Sequence, residues 1–187
     1  VYLSSITVTF TPVSDTDGYE LLASTAGNFT GTLYSSTTVD GNANSLTVGL
    51  LTALSPNTPY FLKVGALYTG ATNYALTSPI STSTLADVVT GSQFLSVSSF
   101  GVTVGWVAQN TGSGPNSSEG YLLQASTASD FTGTIKSSST SDVSLSTLTV
   151  VGLVADTTYY LRVGSLNHNQ VPSFVWVSGS TRTLAGP

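Results

Sequence analysis

Side chains able to do acid–base, nucleophilic or metal chemistry are few in this 187-residue chain: one histidine, nine Asp and Glu together, and no cysteine. The histidine, His168, lies in the turn-rich run NHNQVP (Asn167–Pro172). A general base must reach the proton it abstracts, whereas this run predicts a solvated turn. A Ser–His–Asp relay would have to be assembled around that one loop residue, and no Gly-x-Ser-x-Gly elbow accompanies it. Neither GxGxxG nor GxxxxGK[ST] occurs, so glycine cradles for phosphate are missing. Zinc lacks enough ligands, and without cysteine there is no thiolate nucleophile and no disulfide. Asp15 and Asp17, with Glu20 nearby, offer oxygen ligands of the kind calcium takes. Acidic residues before a strand also form turns, and the second half keeps only Glu119 at the matching place. The expectation is a non-enzyme that holds no cofactor and no metal.

Composition narrows the remaining classes. Charged residues make up 7% of the chain and hydrophobic ones 40%. A disordered chain would have less apolar content and more charge, and a cytosolic enzyme usually carries several times more charge. Four basic residues, Lys63, Lys136, Arg162 and Arg182, are scattered along a chain of net charge −5. Phosphate neutralisation needs them clustered, so nucleic acid is excluded as a partner. No apolar run approaches the length of a membrane span.

The elements that must position these residues are written twice. GYELLASTAGNFTGT (Gly18–Thr32) returns as GYLLQASTASDFTGT (Gly120–Thr134), and PNTPYFLKVGAL (Pro56–Leu67) as ADTTYYLRVGSL (Ala155–Leu166). Tyr159 minus Tyr60 gives a spacing of 99 residues, the size of a whole domain rather than of a solenoid repeat. Within each copy the apolar period is two. Ile6, Val8 and Phe10 alternate with Thr7 and Thr9; Val102, Val104 and Trp106 follow the same rule. Tyr60, Leu62 and Val64 match Tyr159, Leu161 and Val163, with Lys63 and Arg162 in one outward slot. Half-buried antiparallel strands produce this alternation, and Gly/Asn/Asp/Pro clusters punctuate it. No segment reads as an amphipathic helix.

On these residues each copy resembles a fibronectin type III domain. The resemblance rests on Trp106 (Phe10 in the first copy), on Tyr19 and Tyr121 opening a strand, and on LSPNTPYFLKV (Leu54–Val64) with its partner LVADTTYYLRV (Leu153–Val163). It implies an all-β fold of two consecutive fibronectin type III or immunoglobulin-like β-sandwiches, residues 1–86 and 87–187. In such a fold Tyr60 and Tyr159 are corner tyrosines whose hydroxyls bond back to nearby backbone. The AST…FTGT stretch is similar to repeats of large bacterial surface or secreted proteins, which implies an extracellular or cell-surface location. A fold of this kind hosts many roles, so function must come from sites.

Alignment of the copies sets Val1 against Val97, and nothing in the first copy answers VVTGSQFLS (Val88–Ser96). The first strand of the first domain is therefore expected to be truncated. TLAGP (Thr183–Pro187) resembles TLADV (Thr84–Val88), the start of a linker to a further repeat. Two expectations follow: a piece of a longer array, or an open sheet edge beside Val1, Tyr2 and Leu3 that takes a neighbour's strand. A second candidate interface is PSFVWVSGS (Pro172–Ser180), where one face must turn outward, either Phe174 with Trp176 or Val175 with Val177. Asn28 and Asn116 stand in Asn-x-Ser/Thr triplets and are candidate glycosylation sites. No Arg-Gly-Asp occurs. The expected function is a structural module of an extracellular surface or filament-forming protein: spacer, fibre subunit or adhesin segment. Its partners would be copies of itself or neighbouring repeats. The alternative is a carbohydrate- or protein-binding accessory module of a larger secreted enzyme, with a glycan or surface protein as partner and Trp176 as the platform.

Overall fold

Among the residues described, 1–186 of this computed structural model, all regular structure is β-strand. Two units form, Val1–Leu85 and a second beginning at Ala86. The first contains β1 (Ile6–Thr9), β2 (Gly18–Ser24), β3 (Leu33–Thr38), β4 (Ser45–Val48), β5 (Pro59–Tyr68) and β6 (Ala71–Ser83). The second contains β7 (Thr90–Val97), β8 (Gly101–Val107), β9 (Tyr121–Ser126), β10 (Ile135–Thr140), β11 (Thr147–Val151), β12 (Thr158–Leu166) and β13 (Pro172–Arg182).

In the second unit a four-stranded antiparallel sheet, β10-β9-β12-β13, faces a three-stranded one, β11-β8-β7. The first unit repeats the four-stranded sheet as β3-β2-β5-β6 but opposes it with only the pair β1-β4. Each unit is therefore a β-sandwich. The period-two pattern decides which side chains go inside, because successive residues of a strand point to opposite faces. Leu21 and Ala23 are fully buried on either side of half-buried Leu22, as are Leu123 and Ala125 on either side of Gln124. The core of the first unit, Ile6, Leu21, Ala23, Val48, Leu54, Tyr60 and Leu62, has a one-to-one counterpart in Val102, Leu123, Ala125, Val150, Leu153, Tyr159 and Leu161. Fully burying a side chain of this size contributes roughly 1.5–3 kcal/mol.

The second core extends further, through Val104, Trp106, Tyr121 and Val163. Trp106 is 6% exposed, and its ring lies 4.9 Å from that of Tyr121. Its counterpart Phe10 packs on Tyr19 in the same manner, at 4.8 Å, but sits just beyond β1 and is only half-buried. Val8 and Val64 are likewise half-buried where Val104 and Val163 are sealed. The reason is β7: it pairs with β8 and lays Phe94 and Val97 against the core of its unit. Nothing pairs with the outer edge of β1 among the described residues.

Two polar devices repeat in both units. The Tyr60 hydroxyl accepts the Ser55 N–H at 3.0 Å, and the Tyr159 hydroxyl accepts that of Val154 at 3.0 Å. Burial, the largest influence on it, pushes the Tyr60 phenol above its ordinary pKa. These are the corner bonds that the resemblance implied. Thr84 donates to the Ser55 carbonyl (2.7 Å) and accepts the Thr58 N–H (3.0 Å). Thr183 does the same with Val154 (2.6 Å) and Thr157 (3.0 Å). Each buried threonine satisfies backbone groups that would otherwise cost free energy inside the fold.

Candidate interaction surfaces

The β12–β13 register, Arg162 opposite Trp176 and Gly164 opposite Phe174, settles which face of the Pro172–Ser180 run is outward. Val177 is buried and Val175 packs on the core, so Phe174 and Trp176 stand on the outer face, Trp176 52% exposed. The Arg162 guanidinium lies between two rings, its Cζ 3.9 Å from the Phe174 centroid and 4.1 Å from that of Phe131. Its Nε donates to Gln124 Oε1 at 2.9 Å. Burial lowers the Arg162 pKa, yet a guanidinium keeps its charge at any physiological pH. The Phe131 ring meets Trp176 nearly edge-on, 5.0 Å between centroids and 74° between planes. A cation held over ring faces is favoured by about 0.5–2 kcal/mol, more as it is desolvated.

Local backbone explains how these groups meet. Phe131 has φ of 60°, a left-handed conformation rare for a bulky residue. The Asp130 carboxylate fixes it by accepting the Thr132 hydroxyl (2.7 Å) and N–H (3.1 Å), bonds that hold the Asp130 pKa below its ordinary value. Gly133 follows because a Cβ there would come within 2.5 Å of the Thr127 hydroxyl, which itself accepts the Thr134 N–H at 3.1 Å. A Cβ on Gly164 would sit 2.9 Å from the Phe174 ring. The bare backbone at 164 therefore lets that ring lie flat, a cross-strand Gly–aromatic pairing.

The first unit builds the same stack from different residues. Lys63 Nζ lies 4.4 Å from the Phe29 centroid and 4.0 Å from that of Tyr74, and Phe29 too has φ of 60°. Asn28 takes the part of Asp130, accepting the Thr30 hydroxyl at 2.7 Å and N–H at 3.1 Å. The Tyr74 hydroxyl donates to Glu20 Oε2 at 2.5 Å. That hydrogen bond, more than burial, pushes the Tyr74 phenol up to about 12. Leu76, opposite Lys63, stands where Trp176 stands in the second unit.

Elsewhere the candidate residues disperse. Val1, Tyr2 and Leu3 are 50%, 62% and 41% exposed at the entry to β1. Tyr2 N–H donates to the Ser5 carbonyl, and the Tyr2 carbonyl accepts the Leu85 N–H. They belong to the first unit, whereas Phe174 and Trp176 belong to the second. Asn28 uses its side-chain oxygen within its own turn. Asn116 is exposed, with its N–H donating to Asp87 Oδ2 at 2.7 Å.

His168 is exposed in its turn, yet the fold gives it two neighbours that spacing alone did not indicate. Ser113 Oγ lies 3.2 Å, and Glu119 Oε1 3.3 Å, from the same nitrogen, Nε2. A catalytic relay needs the hydroxyl on one ring nitrogen and the carboxylate on the other, so this trio cannot pass a proton from serine to acid. Asp17 accepts from Thr69 and Glu20 from Tyr74. No group of three metal-ligating side chains gathers among the described residues. Nor is any helix there long and apolar enough to cross a membrane.

In sequence the chain matches no family model and no curated protein. Among solved structures it is similar to a segment of two fibronectin type III domains from chicken tenascin, at 15% identity and a TM-score of 0.46, over 97% of this chain and 94% of that one. It is also similar to the FN1–FN3 domains of chicken CNTN1, at 18% identity and a TM-score of 0.42, over 97% of this chain and 62% of that one. Both neighbours are tandem fibronectin type III segments, and the strand order of this chain gives paired antiparallel sheets, twice over.

Proposed function

We propose that this chain is a non-catalytic structural module of an extracellular surface or filament-forming protein, working as a spacer, fibre subunit or adhesin segment. One observation carries this reading: what the two units share is framework. The corner tyrosine, the buried threonine and the cation between two aromatic rings occur in both, and each holds strands together rather than presenting a reactive group. Neighbouring repeats or further copies are the natural partners of such a module. Pulling single chains by atomic force microscopy should give two separate unfolding events, one per unit, and electron microscopy should show chains joined end to end. A single cooperative event, or a chain that turns over a substrate, would remove the basis for this reading.

A second reading is favoured by Trp176. An exposed indole beside Phe131, with polar neighbours on the same sheet, suits an accessory module that stacks on a sugar ring or grips a protein. Binding on a glycan array that Trp176→Ala abolishes would decide in its favour.

A further inference from the structure

We propose that the outer face around Trp176 and Arg162 takes an acidic sugar: a pyranose ring bearing a carboxylate, as in a uronic acid glycan. The inference rests on the sugar-binding reading of Trp176 and adds to it the charge of the ligand. Its first ground is a cation without a counter-charge. Arg162 is half-buried, with Phe131 and Phe174 over its faces. Its Nε donates to the neutral Gln124 amide. Neither ion pair found among the described residues includes it, although the chain carries nine acidic side chains. Asp130, next to Phe131 in the chain, accepts from Thr132 instead. What Arg162 has left is the edge with its two terminal nitrogens, which no hydrogen bond engages among the described residues. A carboxylate meets those two nitrogens in parallel, the pairing that a guanidinium fork favours.

The first unit carries the same stack with an acid built in. Glu20 lies opposite Gly65 there, as Leu122 lies opposite Gly164 in the second unit. Tyr74, also opposite Gly65, donates its hydroxyl to Glu20 while its ring lies against Lys63. Phe174, opposite Gly164, has no hydroxyl to give. The second unit therefore keeps the cation and its rings but has an aliphatic side chain in place of the carboxylate. It also has Trp176 where the first unit has Leu76. One acid is absent and one indole is present at the same site. Arg162 and Trp176 are directly opposed across β12–β13, about 4.5–5.5 Å apart at Cβ in such a pair, and Phe131 touches both. The indole, 52% exposed, offers an apolar ring to the C–H face of a pyranose. A sugar seated on it extends its carboxyl substituent toward the neighbouring strand, where Arg162 stands. A peptide carboxylate has the charge but not the flat C–H face.

The test titrates the full chain calorimetrically with oligomers of galacturonic, glucuronic and mannuronic acid, each beside its neutral methyl ester. At least one acid should bind about tenfold or more tighter than its ester, and the difference should shrink as salt is added. Leu122→Glu, which copies position 20, should abolish the preference for the acid and leave binding of the ester as it was. Leu122→Gln, of similar shape but uncharged, should keep the preference. Arg162→Lys, which retains the charge without the planar fork, should lose most of it, and Trp176→Ala should weaken acid and ester alike. An ester bound as tightly as its acid, or a preference that survives Leu122→Glu, overturns the inference and leaves the sugar-binding reading standing. Failure of every oligomer to bind removes both. Oligoglutamate bound more tightly than any of the sugars also overturns the inference, since the partner would then be an acidic protein segment.

Discussion

Replacing Trp106 by Ala tests the packing logic of the second unit directly. The side chain is 6% exposed, lies in a cluster with Val104, Tyr121 and Val163, and packs at a tilt against the Tyr121 ring, 4.9 Å between centroids. Truncating a buried Trp or Phe costs about 3–5 kcal/mol through lost transfer free energy and the cavity left behind. Roughly 0.5–1.5 kcal/mol of that belongs to the ring–ring contact. For a unit of this size each kcal/mol is worth about 4–8 °C, so the expected fall in melting temperature is in the tens of degrees. Both tryptophans of the chain, Trp106 and Trp176, lie in the second unit. Fluorescence of the remaining Trp176 therefore follows that unit alone, while tyrosine absorbance and circular dichroism follow the whole chain. Urea unfolding should show the fluorescence transition moved to lower denaturant and the transition of the first unit unmoved. A loss below about 1 kcal/mol would refute the reasoning, because no fully packed tryptophan gives way so cheaply. Should the variant fail to fold, Trp106→Phe, which copies the residue at position 10, should fold with a smaller loss.

Tyr159→Phe leaves the Val154 N–H without its acceptor and should lower stability by about 1–3 kcal/mol in the same urea assay. Thr183→Val removes a donor and an acceptor at once and should cost a similar amount, whereas Thr183→Ser should recover most of it. The Tyr74 phenol should ionise only near about 12 in an ultraviolet titration, and Glu20→Gln should return it toward the ordinary range. The sign is that of a raised group: the stabilisation from its hydrogen bond is complete below the unfolded phenol's pKa near 10. It is lost as pH rises through about 12.

Much of the architecture is legible in the sequence because β-structure has a period of two and the chain states it twice. Leu21, Ala23, Leu123 and Ala125 can be placed inside by counting alone, and Tyr60 and Tyr159 by their spacing from the preceding turn. The outward direction of Phe174 and Trp176 is not legible, since four consecutive apolar residues fit either face. Pairing to β12 across a register shift between Tyr160 and Arg162 decides it. Lys63 and Arg162 read as one outward slot, but one ring of each aromatic clamp, Phe29 or Phe131, comes from a distant loop in a left-handed conformation that no propensity favours. The threonine bridges at 84 and 183 span 29 residues, and only the folded chain brings their ends together.

Gly164 has a consequence for any attempt to map this surface. Alanine replacement surveys strip side chains away and watch what is lost, so a position that contributes only emptiness invites neglect. A single methyl there would lift the Phe174 ring from its seat and loosen the hold on Arg162 without deleting one contact atom. The shape of the aromatic face is thus controlled from beneath, by a residue that an inventory of exposed groups never includes.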